Sequence, residues 1–241
     1  MVNRLPHLPK EKCKLFLIDE NAKPNINGEV INSYPHTEFL IGINTHPDMT
    51  FCPLYNKDAV VSSLAYEYYK MHLDKYGYNI IKGENIEKKE YPYDIACNCV
   101  IIKNKLFHTV DYTDKAILKY CAEYGIEAVN VKQGYTKCST LIVNDNSVVT
   151  CDRKLRDIYE KNGLNALLVE NKDIRLRNFD HGFIGGCGGK ISEDTIGFFG
   201  DIESFCDFYK LNDFLNMCGV KFKSLIKGPL TDYGSLICLD T

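Results

Sequence analysis

One pattern recurs three times along this chain, and it constrains the fold more than any other feature of the sequence. In residues 134–152, GYTKCSTLIVNDNSVVTCD, two β-prone runs flank an Asn-Asp-Asn turn at 144–146. Asn and Asp tolerate the positive φ angles that tight turns require, so this stretch predicts a β-hairpin. A shift of 41 residues towards the N-terminus places Cys138 on Cys97, and a shift of 49 residues the other way places it on Cys187.

The residues after each hairpin repeat as well. A stretch with helical spacing of apolar residues ends at Gly125, Gly163 or Gly219, and a short β-prone run follows each glycine. Glycine adopts the left-handed conformation that ends many helices. A repeat at this spacing is typical of an architecture in which each unit packs against its neighbours.

An aspartate precedes each of these helical stretches, at Asp111, Asp152 and Asp201. The three carboxylates could form a functional ring, or each could cap its helix by accepting a backbone N–H. We favour the helix cap, since Asp is among the preferred residues at that position.

The repeat predicts a single domain over residues 1–241, built from five units. Four units occupy about 46–83, 92–131, 134–174 and 181–227. The fifth would combine residues 229–241 with N-terminal strands within 14–43, namely 14–18 and 39–43, and residues 20–38 would be irregular. In the first unit we expect a strand at 49–52 and one helix over about 56–76, with no clean hairpin. Closing five units into a ring would remove open sheet edges.

Composition excludes several classes of function. The chain has 241 residues, 45% hydrophobic and 25% charged, and a net charge of −3, so no basic surface suggests a nucleic-acid partner. Its apolar runs are too short to cross a membrane, and its first residues lack a signal-peptide core. The eleven scattered cysteines fit reduced, buried thiols in the cytosol better than a disulfide framework. The pair Cys97 and Cys99 alone is a weak metal signal, and we expect no cofactor.

The glycine-rich stretch 184–191, IGGCGGKI, does not fit the phosphate-loop template, because Ile184 and Ile191 stand where Gly and Ser or Thr are required. We interpret its glycines as sites of close backbone approach near the ring centre.

Hairpin, helix and strand repeated around a ring of five is similar to the pentein fold, an α/β-propeller with a central channel. The stretches GYTKCSTLIVNDNSVVT and HGFIGGCGGKISEDTIGFFGD resemble a bacterial branch of that superfamily. Its enzymes modify guanidino groups and include arginine deiminase, dimethylarginine dimethylaminohydrolase and the amidinotransferases. The resemblance covers nearly the whole chain from His46 onwards and implies a small-molecule substrate in the channel.

The resemblance implies two catalytic residues. Catalytic penteins use a cysteine near the C-terminus as nucleophile and a histidine before the fourth unit's opening strand as general acid and base. The matching positions here are Cys238 and His181. A thiolate can add to the electron-poor guanidinium carbon, and an imidazole can protonate the leaving amine and then activate water. Alternatively, His181 only bonds a loop, and Cys238 is a packing thiol between Ile237 and Leu239.

The sequence departs from the catalytic families at two substrate-binding positions. Gln133 stands where the third unit carries an acidic residue, and Asn98 stands where the second unit carries an aspartate. Hydrogen bonds to charged groups contribute roughly 1.5–3 kcal/mol each, so these changes should weaken cation binding. Other carboxylates at the mouths of the units could hold a cation, or they could be ordinary loop residues: Asp48, Asp94, Asp180 and Asp232.

The tripeptide His46-Pro47-Asp48 opens the first unit. A proline between two polar residues favours an extended turn, which could present His46 and Asp48 to the channel. A plain turn before a strand is the alternative.

Three functions follow from these observations. The first is a hydrolase or transferase that uses Cys238 and His181 on a guanidine- or amidine-type C–N substrate. The second is a non-catalytic interaction module, since penteins include the ribosome anti-association initiation factor and a fold does not dictate catalysis. The third is a binder or sensor that uses the channel without turnover. The oligomeric state is left open.

Overall fold

The computed structural model describes residues 5–240, and its strands form five three-stranded sheets. In chain order the strands are β1 (Leu15–Ile18), β2 (Glu29–Asn32), β3 (Phe51–Pro53), β4 (Asp58–Val61), β5 (Asn79–Lys82), β6 (Val100–Ile102), β7 (Lys105–His108), β8 (Glu127–Asn130), β9 (Thr140–Asn144), β10 (Ser147–Thr150), β11 (Asn165–Leu168), β12 (Gly188–Ser192), β13 (Thr195–Phe198), β14 (Lys221–Ser224) and β15 (Ile237–Cys238). The helices are α1 (Pro47–Thr50), α2 (Tyr66–Leu73), α3 (Lys115–Glu123), α4 (Arg153–Lys161) and α5 (Phe208–Met217). Within the described residues, no helix has the length and apolar character that a bilayer crossing requires.

Every sheet has the same topology. Its first two strands pair antiparallel, and its third strand pairs parallel with the second. The strand orders are β3-β4-β5, β6-β7-β8, β9-β10-β11, β12-β13-β14 and β15-β1-β2. In the first four sheets a helix connects the second strand to the third, which gives an α/β unit of the predicted kind. The hairpin read from residues 140–150 is confirmed as β9 and β10.

The fifth sheet joins the two ends of the chain. The last strand, β15, pairs antiparallel with β1, with Cys238 opposite Phe16. The parallel partner of β1 is β2, with Phe16 opposite Val30. The C-terminal strand therefore shares a sheet with the N-terminal strands.

Hydrogen bonds at the starts of the five opening strands connect the units in a closed cycle. Each joins one unit to the next: Asn98 Nδ2 to Asp48 O at 3.3 Å, Lys137 N to Asn98 O at 3.2 Å, Gly186 N to Cys138 O at 3.0 Å, Ser235 N to Gly186 O at 3.1 Å, and Asp48 N to Gly234 O at 3.3 Å. The ring is therefore closed at its centre by polar contacts between neighbouring units.

The apolar core lies between neighbouring units. Phe107 and Tyr159, for example, join the second and third units, with ring centroids 4.8 Å apart in an edge-on contact. Phe51 and Tyr69 of the first unit pack with Leu17 and Ile237 of the fifth. Since each core is shared by two units, no unit buries its apolar surface alone, and the ring stabilises all of them together.

Three elements expected from the sequence differ in the structure. The helix predicted over 56–76 is wrong, because β4 occupies Asp58–Val61 and only Tyr66–Leu73 is helical. The turn before β4 contains no glycine, yet Asn56 and Lys57 have φ values of 55° and 69°. The strand predicted at 39–43 is a series of turns, and β2 lies in the stretch expected to be irregular. Half of the strand expected at 49–52 is the end of α1.

The helix-cap prediction is confirmed at one of the three aspartates. Asp152 caps α4 by accepting a hydrogen bond from Leu155 N at 2.9 Å. Asp111 does not cap α3, whose cap is Asp114. The side chain of Asp201 instead accepts from Gly228 N at 2.8 Å.

Candidate active site

A cavity of about 230 Å³ lies beside the ring centre, beneath segments that precede the first and fourth opening strands. Its lining combines ionisable and apolar side chains: Ile43, His46, Tyr135, Cys138, Leu176, Phe179, Asp180, His181, Phe183 and Asp232. Its volume lies just below the roughly 300–1,000 Å³ of typical ligand pockets, and its apolar lining with a few converging polar groups is typical of such sites.

Cys138 lies at the inner wall of this cavity and contacts a carboxylate. Its Sγ lies 3.2 Å from both oxygens of Asp48 and donates a hydrogen bond to them. Both residues are buried, with 3% and 1% of their surface exposed. Burial raises the pKa of Cys138 well above its usual range, and the carboxylates of Asp48 and Asp232 raise it further. The thiol form of Cys138 is therefore favoured.

Asn98 positions Cys138 through both ends of its side-chain amide. Its Oδ1 accepts hydrogen bonds from the backbone N–H groups of Lys137 and Cys138, at 2.8 and 3.2 Å. Its Nδ2 donates to Cys138 Sγ at 3.2 Å and to Asp48 O at 3.3 Å. Asn98 is fully buried and does not line the cavity. It acts on the site through Cys138, which does line the cavity.

The centre of the ring is filled by a buried lysine. Lys137 Nζ donates to Ser235 Oγ at 2.8 Å, and Ser235 Oγ donates to Asp48 Oδ2 at 2.7 Å. Burial lowers the pKa of Lys137, while Asp48, Cys138 and Asp232 act in the opposite direction. This chain of polar contacts links the third, fifth and first units beside Cys138.

His46 and Asp232 form the second polar pair of the cavity. His46 Nδ1 lies 3.8 Å from Asp232 Oδ1, and both residues are almost completely buried. Within the described part of the chain, His46 Nδ1 has no hydrogen-bond partner. Asp232 accepts from Phe183 N at 2.8 Å and Gly234 N at 2.9 Å, and burial raises its pKa.

Two glycines make room for this pair. A Cβ atom at Gly186 would lie 1.7 Å from Asp232 Oδ1, and one at Gly234 would lie 2.2 Å from His46 Cβ. The interpretation of the glycine-rich stretch as a site of close approach is confirmed at Gly186.

His181 and Asp180 lie at the exposed side of the same cavity. His181 Nδ1 is 2.9 Å from Asn171 Nδ2 and 3.3 Å from the carbonyl oxygen of Gly182, and its ring contacts Phe183 edge-on. The structure therefore brings His181, Asp180, His46 and Asp232 to one cavity, with Asp48 behind Cys138.

Cys238 lies elsewhere. It forms a disulfide bond with Cys13, with the two Cα atoms 6.0 Å apart, and packs in the core between the fourth and fifth units. It does not line the cavity, and in the described structure no hydrogen bond joins it to His181. The expectation that all eleven cysteines are reduced differs from this arrangement, in which nine thiols are free. The pairing of β15 with β1 brings the two sulfur atoms together.

The remaining predicted residues act at the edge of the site. Asp94 Oδ2 accepts a hydrogen bond from the hydroxyl of Tyr135, a cavity residue, at 2.7 Å. Burial raises the pKa of Asp94. Gln133 donates to Asp152 at 3.1 Å and accepts from Tyr135 N at 3.2 Å, outside the cavity.

Sequence reasoning missed Cys138, Lys137 and Ser235. A signal was present, since Cys138 lies two residues before the third opening strand as Asn98 does before the second, and residues at that position meet across neighbouring units. Within residues 5–240, His46, Asp48 and Cys138 also form a group that could hold a metal ion at the cavity, because one donor atom of each lies within 4.8 Å of the others.

Solved structures similar to this chain share its fold. DDAH from Pseudomonas aeruginosa, as a mutant complexed with citrulline, is 7% identical, with a TM-score of 0.54 and coverage of 89% of this chain and 92% of that one. Agmatine deiminase from C. jejuni is 7% identical, with a TM-score of 0.53 and coverage of 92% and 90%. An amidinotransferase from Microseira wollei in the saxitoxin biosynthetic pathway is 9% identical, with a TM-score of 0.55 and coverage of 93% and 92%. The prediction of a pentein-type α/β fold is confirmed.

Sequence comparison identifies the family. No curated protein matches the chain significantly. One family model matches residues 18–237, which span all five sheets. The chain therefore belongs to the family described as a family of unknown function, DUF6873, and it has the pentein fold.

Proposed function

We propose that this protein is a cysteine-dependent hydrolase or transferase that acts on a small guanidine- or amidine-type cation bound in the cavity. One observation carries the proposal: Cys138 Sγ, a ring nitrogen of His46 and a carboxylate oxygen of Asp48 converge within 4.8 Å, and the first two residues line a cavity. The fold shared with guanidino-modifying enzymes is consistent with this activity, although a fold alone does not specify one.

The charges of the site support a cationic substrate. Asp48 and Asp232 are buried beside Cys138, and Asp180 lies at the mouth of the cavity. The nearby buried cation is Lys137, which already interacts with Asp48 through Ser235. A planar amidinium group can form charge-assisted hydrogen bonds with such carboxylates, and these are roughly twice as strong as neutral ones.

The same cation would activate the thiol. Burial and two carboxylates raise the pKa of Cys138. A positive charge within about 4–6 Å favours the thiolate, so substrate binding would lower this pKa. The nucleophile would then form only when the cation to be attacked is present.

The proposed reaction uses one sulfur and one imidazole. Cys138 gives its thiol proton to His46, and its Sγ attacks the central carbon of the amidinium group to form a C–S bond; the C–N bond then breaks as His46 passes that proton to the leaving amine. His46 next takes a proton from water, or from an acceptor amine in a transferase, as the water oxygen or amine nitrogen bonds to the carbon. The C–S bond breaks, and the proton on His46 returns to Cys138 Sγ. Asp232 would orient His46, because contacts between catalytic groups often tighten when the substrate binds, and closure of the 3.8 Å gap between Asp232 Oδ1 and His46 Nδ1 would form a hydrogen bond.

His181 is proposed as a second proton carrier at the mouth of the cavity. Asp180, at the same mouth, is proposed to bind the cation as it enters. Cys238 remains the competing nucleophile that the sequence resemblance implies. That assignment requires reduction of its bond to Cys13 and movement of β15 towards the cavity, so we prefer Cys138.

Site-resolved alkylation tests this proposal. The protein would be treated with chloroacetamidine, which is cationic, and with its neutral isostere chloroacetamide, and each cysteine would be quantified by mass spectrometry. We expect Cys138 to react with the amidine at least about tenfold faster than with the amide, one tenfold step being about 1.4 kcal/mol of charge recognition. Asp48→Asn should reduce that preference. Buried Cys187, which lies outside the cavity lining, is the matched internal control.

Turnover is the decisive second step. Ammonia or amine release would be measured for a panel of guanidines and amidines, with Cys138→Ala and Cys238→Ala compared. The proposal requires that Cys138→Ala abolishes turnover and Cys238→Ala retains it. The reverse result would return the nucleophile to Cys238.

The raised pKa of Cys138 favours a second candidate function, a binding protein that uses the cavity without turnover. It predicts that a guanidinium ligand raises the melting temperature while no product forms and Cys138→Ala binds the ligand as well as the parent protein does.

A further inference from the structure

The donor atoms around Cys138 differ in kind, and together they have the composition of a transition-metal site. We propose that His46, Asp48 and Cys138 bind a divalent ion of the zinc class at the inner wall of the cavity. Imidazole nitrogen, carboxylate oxygen and thiolate sulfur are the three ligand types that zinc uses in proteins, and such mixed sets favour tetrahedral coordination.

The distances need little change to close around an ion. In a tetrahedral zinc site, with Zn–S near 2.3 Å and Zn–N or Zn–O near 2.0–2.1 Å, donor atoms lie about 3.3–3.6 Å apart. Cys138 Sγ already lies 3.2 Å from both Asp48 oxygens, and the His46 donor lies within 4.8 Å of the other two atoms. A side-chain shift of roughly 1 Å would complete the triangle.

His46 supplies an independent observation that a bound ion would explain. Its side chain is 2% exposed, yet in the described part of the chain its Nδ1 accepts and donates no hydrogen bond. Buried polar atoms in proteins are nearly always paired, and an exception calls for an explanation such as an ion. The residue also lines the cavity, which gives an ion a path from solvent.

The charges balance when the ion is present. Asp48, Asp232 and a Cys138 thiolate would carry three negative charges, which offset the two charges of the metal and the one of Lys137. On binding, the metal–sulfur bond forms, and the thiol proton that Cys138 Sγ donates to the Asp48 carboxylate leaves to solvent.

Metal binding does not require that the protein be an enzyme, but it engages the proposed nucleophile. The ion and a cationic substrate would compete for Asp48 and for the sulfur of Cys138. Zinc would therefore inhibit the proposed reaction and protect Cys138 from alkylation.

Cobalt titration gives a direct test, because Co²⁺ adopts the same geometry as Zn²⁺ and its bond to a thiolate produces a charge-transfer absorption band. The full-length protein would be used without reductant, so that Cys13 and Cys238 stay bonded and cannot supply thiolates. Exposed Cys206 would be replaced by Ser throughout to remove adventitious binding. We expect one equivalent of Co²⁺ to produce the band and Zn²⁺ to displace it.

Three variants separate the site from background. Cys138→Ser should remove the charge-transfer band, and His46→Gln and Asp48→Asn should each weaken Co²⁺ binding by about tenfold or more. Cys97→Ser, which alters a buried thiol in a different core cluster, should leave the band unchanged. Circular dichroism checks that each variant is folded, and the two ligand variants that keep Cys138 preserve the test if Cys138→Ser does not fold.

The proposal is overturned if the parent protein gives no charge-transfer band with excess Co²⁺, or if the band persists in Cys138→Ser. These outcomes are distinct from failure of the proposed function, which is measured by amidine-selective alkylation and turnover in metal-free buffer. A protein that binds Co²⁺ at Cys138 but turns over no guanidine would keep this inference and lose the catalytic one.

Discussion

Breaking the bond between Cys13 and Cys238 should destabilise the whole ring, because it links the first and last strands of the fifth sheet. The cross-link spans 225 residues. In the chain-entropy model, a loop of this length constrains the unfolded state by about 5 kcal/mol at 25 °C. A chain of this length gains roughly 0.5 kcal/mol/K of entropy on unfolding, so the loss corresponds to a fall in melting temperature of about 10 °C.

The assay is thermal unfolding followed by circular dichroism, with and without a phosphine reductant. Reductant should lower the melting temperature of the parent protein to that of the Cys13→Ala/Cys238→Ala double variant and leave the double variant unchanged. Cys206→Ser, at an exposed free thiol, should behave as the parent does. If reductant does not shift the parent melting temperature, and intact-mass alkylation counts eleven thiols without it, the closure reasoning fails and Cys238 is available as a nucleophile.

Two further changes test the packing around the site and the loss of folding stability at low pH. Gly186→Ala should place a methyl group 1.7 Å from Asp232 Oδ1 and lower the free energy of unfolding by about 1–3 kcal/mol, measured in urea. The control is Gly163→Ala, whose Cβ atom would contact no neighbour, although alanine is strained at its φ of 78°. Gly186→Ala should weaken ligand binding in the cavity more than Gly163→Ala does. Burial lowers the pKa of His108 from 6.5 to about 4, so the unfolded chain binds the proton first and stability should decline as pH falls from about 6.5 to about 4, by up to roughly 3 kcal/mol. His108→Gln should flatten that slope in urea titrations across pH, and an unchanged slope would show that other groups control it.

The repeat made the ring predictable because each unit carries its own local signals. The turn at 144–146 and the glycines after the helices act within a few residues, so sequence alone locates them. At Gly77, Gly125, Gly163 and Gly219 the structure has positive φ angles between 65° and 78°, as a helix-ending glycine requires. Local signals of this kind indicate the same turn or helix end whatever the tertiary contacts are.

The helix predicted over 56–76 in the first unit was wrong because the turn before β4 lacks those signals. Asn56 and Lys57 adopt positive φ without glycine, and apolar residues of β4 continue in helical phase into α2. A hairpin strand followed closely by a helix then resembles one longer helix. Tertiary pairing of Val60 with Cys52 and Ile81, which no local window contains, decides the outcome.

The site was harder to predict than the fold, because it depends on which residues meet across the ring. Asp48 and Cys138 are 90 positions apart, and Asp48 and Ser235 are 187 apart, yet each pair is in contact. The resemblance pointed to Cys238 through its position near the C-terminus. The position that meets the ring centre in the fifth unit is instead Ser235, whose φ of 78° turns its hydroxyl towards Asp48.

Asn98, which stands where the resemblance implies an aspartate, is interpreted differently once its contacts are known. From the sequence, an amide in place of an acid implied weaker cation binding. In the ring, both ends of the Asn98 amide hold the backbone and sulfur of Cys138, and an aspartate there would lose the hydrogen bonds that Nδ2 donates to Cys138 Sγ and to Asp48 O. A carboxylate would also add a third buried negative charge beside Asp48 and Asp232, and an unpaired buried charge costs several kcal/mol. Under the proposed function, the negative charge for a cation would therefore come from Asp48 and Asp232 of the first and fifth units, while Asn98 of the second unit holds the thiol in place.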